Sequence, residues 1–83
     1  QHWQQSIHGS ADAQYNLALC YENGEGVDKD QKKAIEWCRK SAIQGNSEAQ
    51  CNLGVCYDKG KGVEKDEQKA IEWYTKSAIQ GYD

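Results

Sequence analysis

A ten-residue segment occurs twice, as Tyr21-Glu22-Asn23-Gly24-Glu25-Gly26-Val27-Asp28-Lys29-Asp30 and again, 36 positions on, as Tyr57-Asp58-Lys59-Gly60-Lys61-Gly62-Val63-Glu64-Lys65-Asp66. The two glycines let the backbone leave a helix through positive φ, a single Val anchors the bend, and Asp is a residue that starts a helix. Each copy therefore reads as the corner of a helical hairpin. A corner that recurs at this period is the mark of stacked hairpins, an architecture that binds rather than catalyses.

The repetition extends beyond the corner. The first full repeat runs from residue 10 to 45 and the second from 46 to 81, with 22 of 36 aligned positions identical. Residues 1–9 are expected to end the second helix of an earlier repeat, because Ile7-His8-Gly9 matches Ile43-Gln44-Gly45 and Ile79-Gln80-Gly81; residues 82–83 would begin a further one. The absence of Met and the start at Gln1 point to a piece of a longer protein, and no compartment is written in it, although the composition favours the cytoplasm.

Each repeat predicts two helices. The first spans Ala11 to Asn23, capped by Ser10 and stopped by Gly24; the second spans Gln31 to Gln44, capped by Asp30 and stopped by Gly45. Asn46, Gly60, Asp66 and Gly81 repeat these roles. On the second helices Glu36 with Lys40, and Glu72 with Lys76, have the spacing of an i,i+4 ion pair. No Pro occurs and no β-branched residues alternate at period two, so no strand is expected.

Comparison of the two repeats separates core from surface. Ala13, Leu17, Cys20 and Tyr21 are shared and lie on one helical face, which should be buried. Ala34, Ile35, Trp37, Ser41 and Ala42 should form the packing surface of the second helix, with Lys33, Glu36 and Lys40 on its solvated back. The differing pairs of the first helix, Asp12/Glu48, Tyr15/Cys51, Leu19/Val55, Glu22/Asp58 and Asn23/Lys59, form an opposite stripe, with Ala18/Gly54 outside it. First helices usually line the concave side of such a stack, so this stripe is the expected partner-binding surface. Tyr15, Leu19 and Val55 are apolar where helical periodicity calls for polar residues.

Length and charge bound the rest. A chain of 83 residues makes one domain and buries little more than about 60% of its unfolded surface. Ten basic against thirteen acidic residues give a net charge of −3, with the basic residues scattered, which argues against a nucleic-acid partner. No apolar run approaches the ~20 residues of a membrane span. The four cysteines pair poorly: Cys51 and Cys56 are about 140° apart on one helix, Cys20 and Cys56 hold equivalent places in neighbouring repeats, and Cys20 and Cys38 are offset by a turn. Thiols are expected.

The spaced residues Ala13-Gln14-x-x-Leu17, Tyr21-x-x-Gly24-x-Gly26-Val27-x-x-Asp30-x-x-Lys33-Ala34-x-x-Trp37 and Ser41-Ala42-x-x-Gly45, matched again from Ala49 to Gly81, resemble the Sel1-like repeat. The pattern departs at Ala18, where Gly is usual, and at Cys38, where an aromatic is usual. Tetratricopeptide repeats are similar but have a period of about 34 residues and lack the Gly-x-Gly-Val corner. The resemblance implies an all-α, right-handed solenoid of antiparallel helix hairpins that acts as an adaptor or scaffold for other proteins, with no catalytic residue. In a cysteine-rich secreted branch of the family, disulfides join the end of one repeat to the start of the next; here Ala42 and Ala49 stand at those places.

Chemical readings of the same residues are weaker. Gly24-Glu25-Gly26 lacks the Lys-Ser/Thr ending and preceding strand of a phosphate cradle. Asp28-Lys29-Asp30 opens like a calcium loop but continues with Lys32 and Lys33 at ligand and Gly positions. His2 and His8 are too far apart to share a metal, no Cys-x-x-Cys exists, and no nucleophile, base and orienter assemble. The expectation is thus a protein-binding module with no cofactor, not an enzyme, whose partner is a protein or peptide; end-to-end self-association through Trp3, Ile7, Trp73, Tyr74 and Ile79 is a further expectation. The alternative is the targeting arm of a larger enzyme or effector.

Overall fold

The computed structural model describes residues 10–80. Four helices of 13 residues each follow one another: α1 (Ala11–Asn23), α2 (Gln31–Ile43), α3 (Ser47–Lys59) and α4 (Glu67–Ile79). No strand occurs among the described residues. The expected preceding-repeat tail at residues 1–9, the stop at Gly81 and the start of a further repeat at residues 82–83 lie outside them.

The helix ends form by the local chemistry read from the sequence. Ser10, Asp30, Asn46 and Asp66 each accept, through the side chain, the backbone N–H three residues on, satisfying a donor the helix itself leaves open. Gly24 and Gly60 close α1 and α3 at φ 73° and 72°, donating to the Cys20 and Cys56 carbonyls. The corner is then tied shut, since Asp30 and Asp66 donate their N–H to the carbonyls of Tyr21 and Tyr57, each at 2.9 Å. The boundaries that differ are the ends of α2 and α4, which stop at Ile43 and Ile79 with Gln44 and Gln80 as their caps.

Within each repeat the helices run antiparallel and are held by the same two bonds. Ser41 Oγ donates to the Ala11 carbonyl at 2.6 Å and Ser77 Oγ to that of Ser47 at 2.9 Å. The side-chain amides of Gln44 and Gln80 donate to those of Gln14 and Gln50, both at 2.7 Å. Small Ser and Ala residues at these places bring the helices close enough for side chain to meet backbone.

The repeats stack through α2 and α3. Gln50 Nε2 donates to the Ala42 carbonyl and Cys38 Sγ to that of Ala49, while the second corner sits over the start of α2. A Cβ on Gly62 would lie 2.7 Å from Ile35 Cγ1 and 3.0 Å from Gln31 Cγ, so only glycine fits against that helix. The core joins Ala18, Ile35, Cys38, Ala42, Ala49, Leu53, Cys56, Tyr57 and Ala70.

Two expectations are modified. The face Ala13, Leu17, Cys20 and Tyr21 is half-buried in α1, whereas its counterparts Ala49, Leu53, Cys56 and Tyr57 in α3 are all buried. The reason is position: α3 packs on both α2 and α4, and α1 on α2. The i,i+4 pairs Glu36–Lys40 and Glu72–Lys76 do not form. Lys40 Nζ stands 4.6 Å from the Trp37 ring centre and Lys76 Nζ 5.7 Å from that of Trp73, where the ring face attracts the ammonium and the lysine stem covers half-buried indole.

Candidate protein-binding surface

The first helices of the two repeats lie in the same sense. Their starts are joined by Asn46 Nδ2, which donates to Asp12 Oδ1 at 2.9 Å, and their ends by Lys61 Nζ, 3.4 Å from Glu22 Oε2. Tyr15 and Leu19 on α1 are therefore repeated by Cys51 and Val55 at the same heights on α3. All four are half-buried, and Tyr15 packs in part on the core. Asp12, Asn23, Glu48, Asp58 and Lys59 are exposed and Glu22 is half-buried. Two of the acids are already engaged: Asp12 and Glu22 tie one repeat to the next, leaving Glu48 and Asp58 as the acidic groups without such a tie in the expected rim. The second corner thus carries an ion pair that sequence reading of the stripe did not assign.

Sequence reading also passed over the buried glutamines. Gln14 and Gln50 are 3% and 5% exposed, and their amides connect second helix to first in each repeat. Their signal was present as a pair of identities, Gln14 with Gln44 and Gln50 with Gln80, repeated at equal spacing. A buried amide recurs unchanged because leaving one partner unpaired there costs about 1–3 kcal/mol.

The four cysteines are free. Burial pushes the Cys38 thiol up to about 12, with the neighbouring Cys56 and Glu22 adding to the effect and Arg39 opposing it. Cys56 is raised for the same first reason, with Glu22 adding and Lys61 opposing. Both are neutral packing groups at ordinary pH, not nucleophiles. Among the described residues, no three His, Cys, Asp or Glu side chains are grouped to hold a metal ion, and no helix is long and apolar enough to cross a membrane.

The Sel1 repeat family model matches residues 11–46 and again residues 47–82. The chain belongs to the Sel1 repeat family. Among solved structures, a Sel1 repeat protein from Oxalobacter formigenes is 43% identical over 90% of this chain and 56% of its own, with a TM-score of 0.89. The protective antigen c5321 of uropathogenic Escherichia coli, described as having an SLR fold, is 44% identical over 86% of this chain and 15% of its own, at 0.83. Helicobacter pylori cysteine rich protein B is 30% identical over 88% of this chain and 55% of its own, at 0.85. The chain thus spans little more than half of the first and third of these proteins and a small part of the second. No curated protein matches the chain. The all-α solenoid of helical hairpins is that of these Sel1 relatives, and Sel1 repeat proteins are in general protein-interaction scaffolds.

Proposed function

We propose that this Sel1 repeat chain is a protein-interaction scaffold that takes a peptide or a segment of a partner protein along the stripe of its first helices. The observation that carries the proposal is the side-by-side, same-sense alignment of α1 and α3 by the Asn46–Asp12 and Lys61–Glu22 contacts. In this reading Tyr15 and Leu19, with Cys51 and Val55 at the equivalent positions of α3, form one apolar track, with Glu48 and Asp58 at its edge. Half-buried apolar side chains are held in place by the helix below them and still offer surface, which lowers the entropic cost of a contact. Tyr15 is the proposed anchor, since an aromatic ring with a polar tip supplies much contact area from few rotatable bonds. The acidic edge favours a ligand with Lys or Arg beside an apolar residue, and Lys59 limits that preference at the far end.

Peptides of this composition, selected from a displayed library on the intact chain and labelled for fluorescence anisotropy, test the proposal. The pair Tyr15→Ala with Leu19→Ser should weaken their binding at least tenfold, about 1.4 kcal/mol, with the helical circular-dichroism signal retained. Unchanged affinity in that variant, together with loss of binding on Lys33→Ala or Lys40→Ala, would move the site to the outer face.

A further inference from the structure

Asn23 is the last residue of α1, and the residue after it is glycine. That dipeptide carries chemistry of its own. The side-chain carbonyl carbon of an asparagine can be attacked by the next backbone nitrogen to close a five-membered ring, and glycine has no Cβ to obstruct the approach. Of the four asparagines in the chain, only Asn23 precedes glycine. Asn16 and Asn52 precede leucines within α1 and α3. Asn46 precedes Ser47, but its amide is fixed at both ends: Oδ1 accepts the Ala49 N–H at 2.8 Å and Nδ2 donates to Asp12 Oδ1 at 2.9 Å. Asn23 is exposed.

The folded corner holds the reaction back. Ring closure requires the Gly24 nitrogen to give up its proton and turn toward the Asn23 side chain, away from the helical conformation. In the structure the Gly24 N–H donates to the Cys20 carbonyl at 2.7 Å, and the Glu25 N–H shares that acceptor at 2.9 Å. The Asp30 N–H, bonded to the Tyr21 carbonyl at 2.9 Å, closes the loop behind them. Local opening of this one corner, well short of global unfolding, releases all three bonds.

We propose that Asn23–Gly24 is a self-modification site whose reaction is gated by opening of the first corner. In the open corner the Gly24 nitrogen bonds to Asn23 Cγ, the Cγ–Nδ2 bond breaks, and Nδ2 leaves as ammonia with the proton that the Gly24 nitrogen gives up. Water then adds to the cyclic imide. Cleavage at Cγ leaves an aspartate at position 23, whereas cleavage at the main-chain carbonyl leaves isoaspartate, with the chain running through Cβ and Cγ. Water is the only co-reactant, and there is no net oxidation or reduction. Either product places a carboxylate at the negative end of α1, where it is disfavoured, and isoaspartate also lengthens the backbone inside the cap. The modified corner therefore closes less well than the original.

The intact chain, incubated in mildly alkaline buffer and read by peptide mapping with isoaspartate-specific methylation, tests the proposal. Conversion at Asn23 should be at least about tenfold slower in the folded chain than in urea, the ratio being set by local opening. Gly26→Ala strains the corner through its φ of 78° while leaving Asn23 and Gly24 in place. It should speed the folded reaction about fivefold and leave the rate in urea unchanged. The converted chain, like Asn23→Asp, should melt at a lower temperature than the fresh protein. Equal rates in the folded chain and in urea would overturn the gate. A Gly26→Ala chain that reacts no faster than wild type would overturn its assignment to this corner, and no conversion in either folded protein once the urea sample is consumed would overturn the site itself.

Discussion

Gly54 and Tyr74 exclude any larger residue from each other's place: a Cβ on Gly54 would lie 2.9 Å from both Cδ1 and Cε1 of the Tyr74 ring. The equivalent positions in the first repeat hold Ala18 and Cys38, both buried. The two departures of this chain from the usual Sel1 pattern are thus one exchange, in which the helix gains a methyl and its neighbour gives up a ring.

That exchange can be transferred. Gly54→Ala alone should destabilise the chain by about 1–3 kcal/mol through overpacking, even though Ala in a helix interior is favoured over Gly by about 1 kcal/mol. With Tyr74→Cys already in place the same Gly54→Ala should be neutral or stabilising. Urea unfolding of the four proteins of this cycle measures the coupling; additive effects would mean that Tyr74 moves aside freely.

The two corners allow backbone strain to be separated from packing. Gly26 and Gly62 share their φ, but among the described residues only Gly62 lies against another helix. Gly26→Ala should cost about 1 kcal/mol for the left-handed conformation alone, and Gly62→Ala that amount plus roughly 1–3 kcal/mol for the collision with Ile35 and Gln31. Equal melting temperatures for the two variants would show that the corner can lift off α2.

Much of the fold was legible because it rests on local chemistry. The caps at Ser10, Asp30, Asn46 and Asp66 and the left-handed Gly24 and Gly60 need only their own turn of chain. What the sequence left open depends on neighbours. Ile35 and Ile71 are the same residue in the same repeat position and differ only in whether another repeat lies over them, as do Tyr57 and Tyr21. The burial of Gln14 depends on a helix 30 residues away. The stripe from Asp12 to Lys59 was legible as a pattern of variation, but the engagement of Asp12 and Glu22 between repeats was not, since stripe residues were read against solvent and not against the next corner.

Alkaline pH should unfold the chain earlier than thiol-free packing would. Cys38 ionises near 9 when unfolded and is pushed up to about 12 when folded. Between these values the unfolded state binds fewer protons, so stability is full below about pH 9 and falls progressively, by roughly 1 kcal/mol per pH unit for this thiol, as the pH approaches 12. Cys56, shifted in the same direction, steepens the loss. Urea midpoints from pH 8 to 11 check this, and Cys38→Ala should flatten the slope while lowering stability at pH 8; an unchanged slope would mean that the thiol is solvated in the folded state.

Among the described residues, the widest hydrogen-bonded separation is the 39 residues from Glu22 to Lys61. Every other side-chain tie among these residues spans less. A chain wired over such short distances has little loop entropy to lose before its contacts form, so folding should be fast for its size. Among the described residues, no hydrogen bond or ion pair joins α1 to α4. Pulled from its ends, as a tether between two larger bodies would be, the chain should yield one hairpin at a time, the α4 side parting from α3 while the first repeat stays whole, and it would lengthen under load in steps instead of breaking at once.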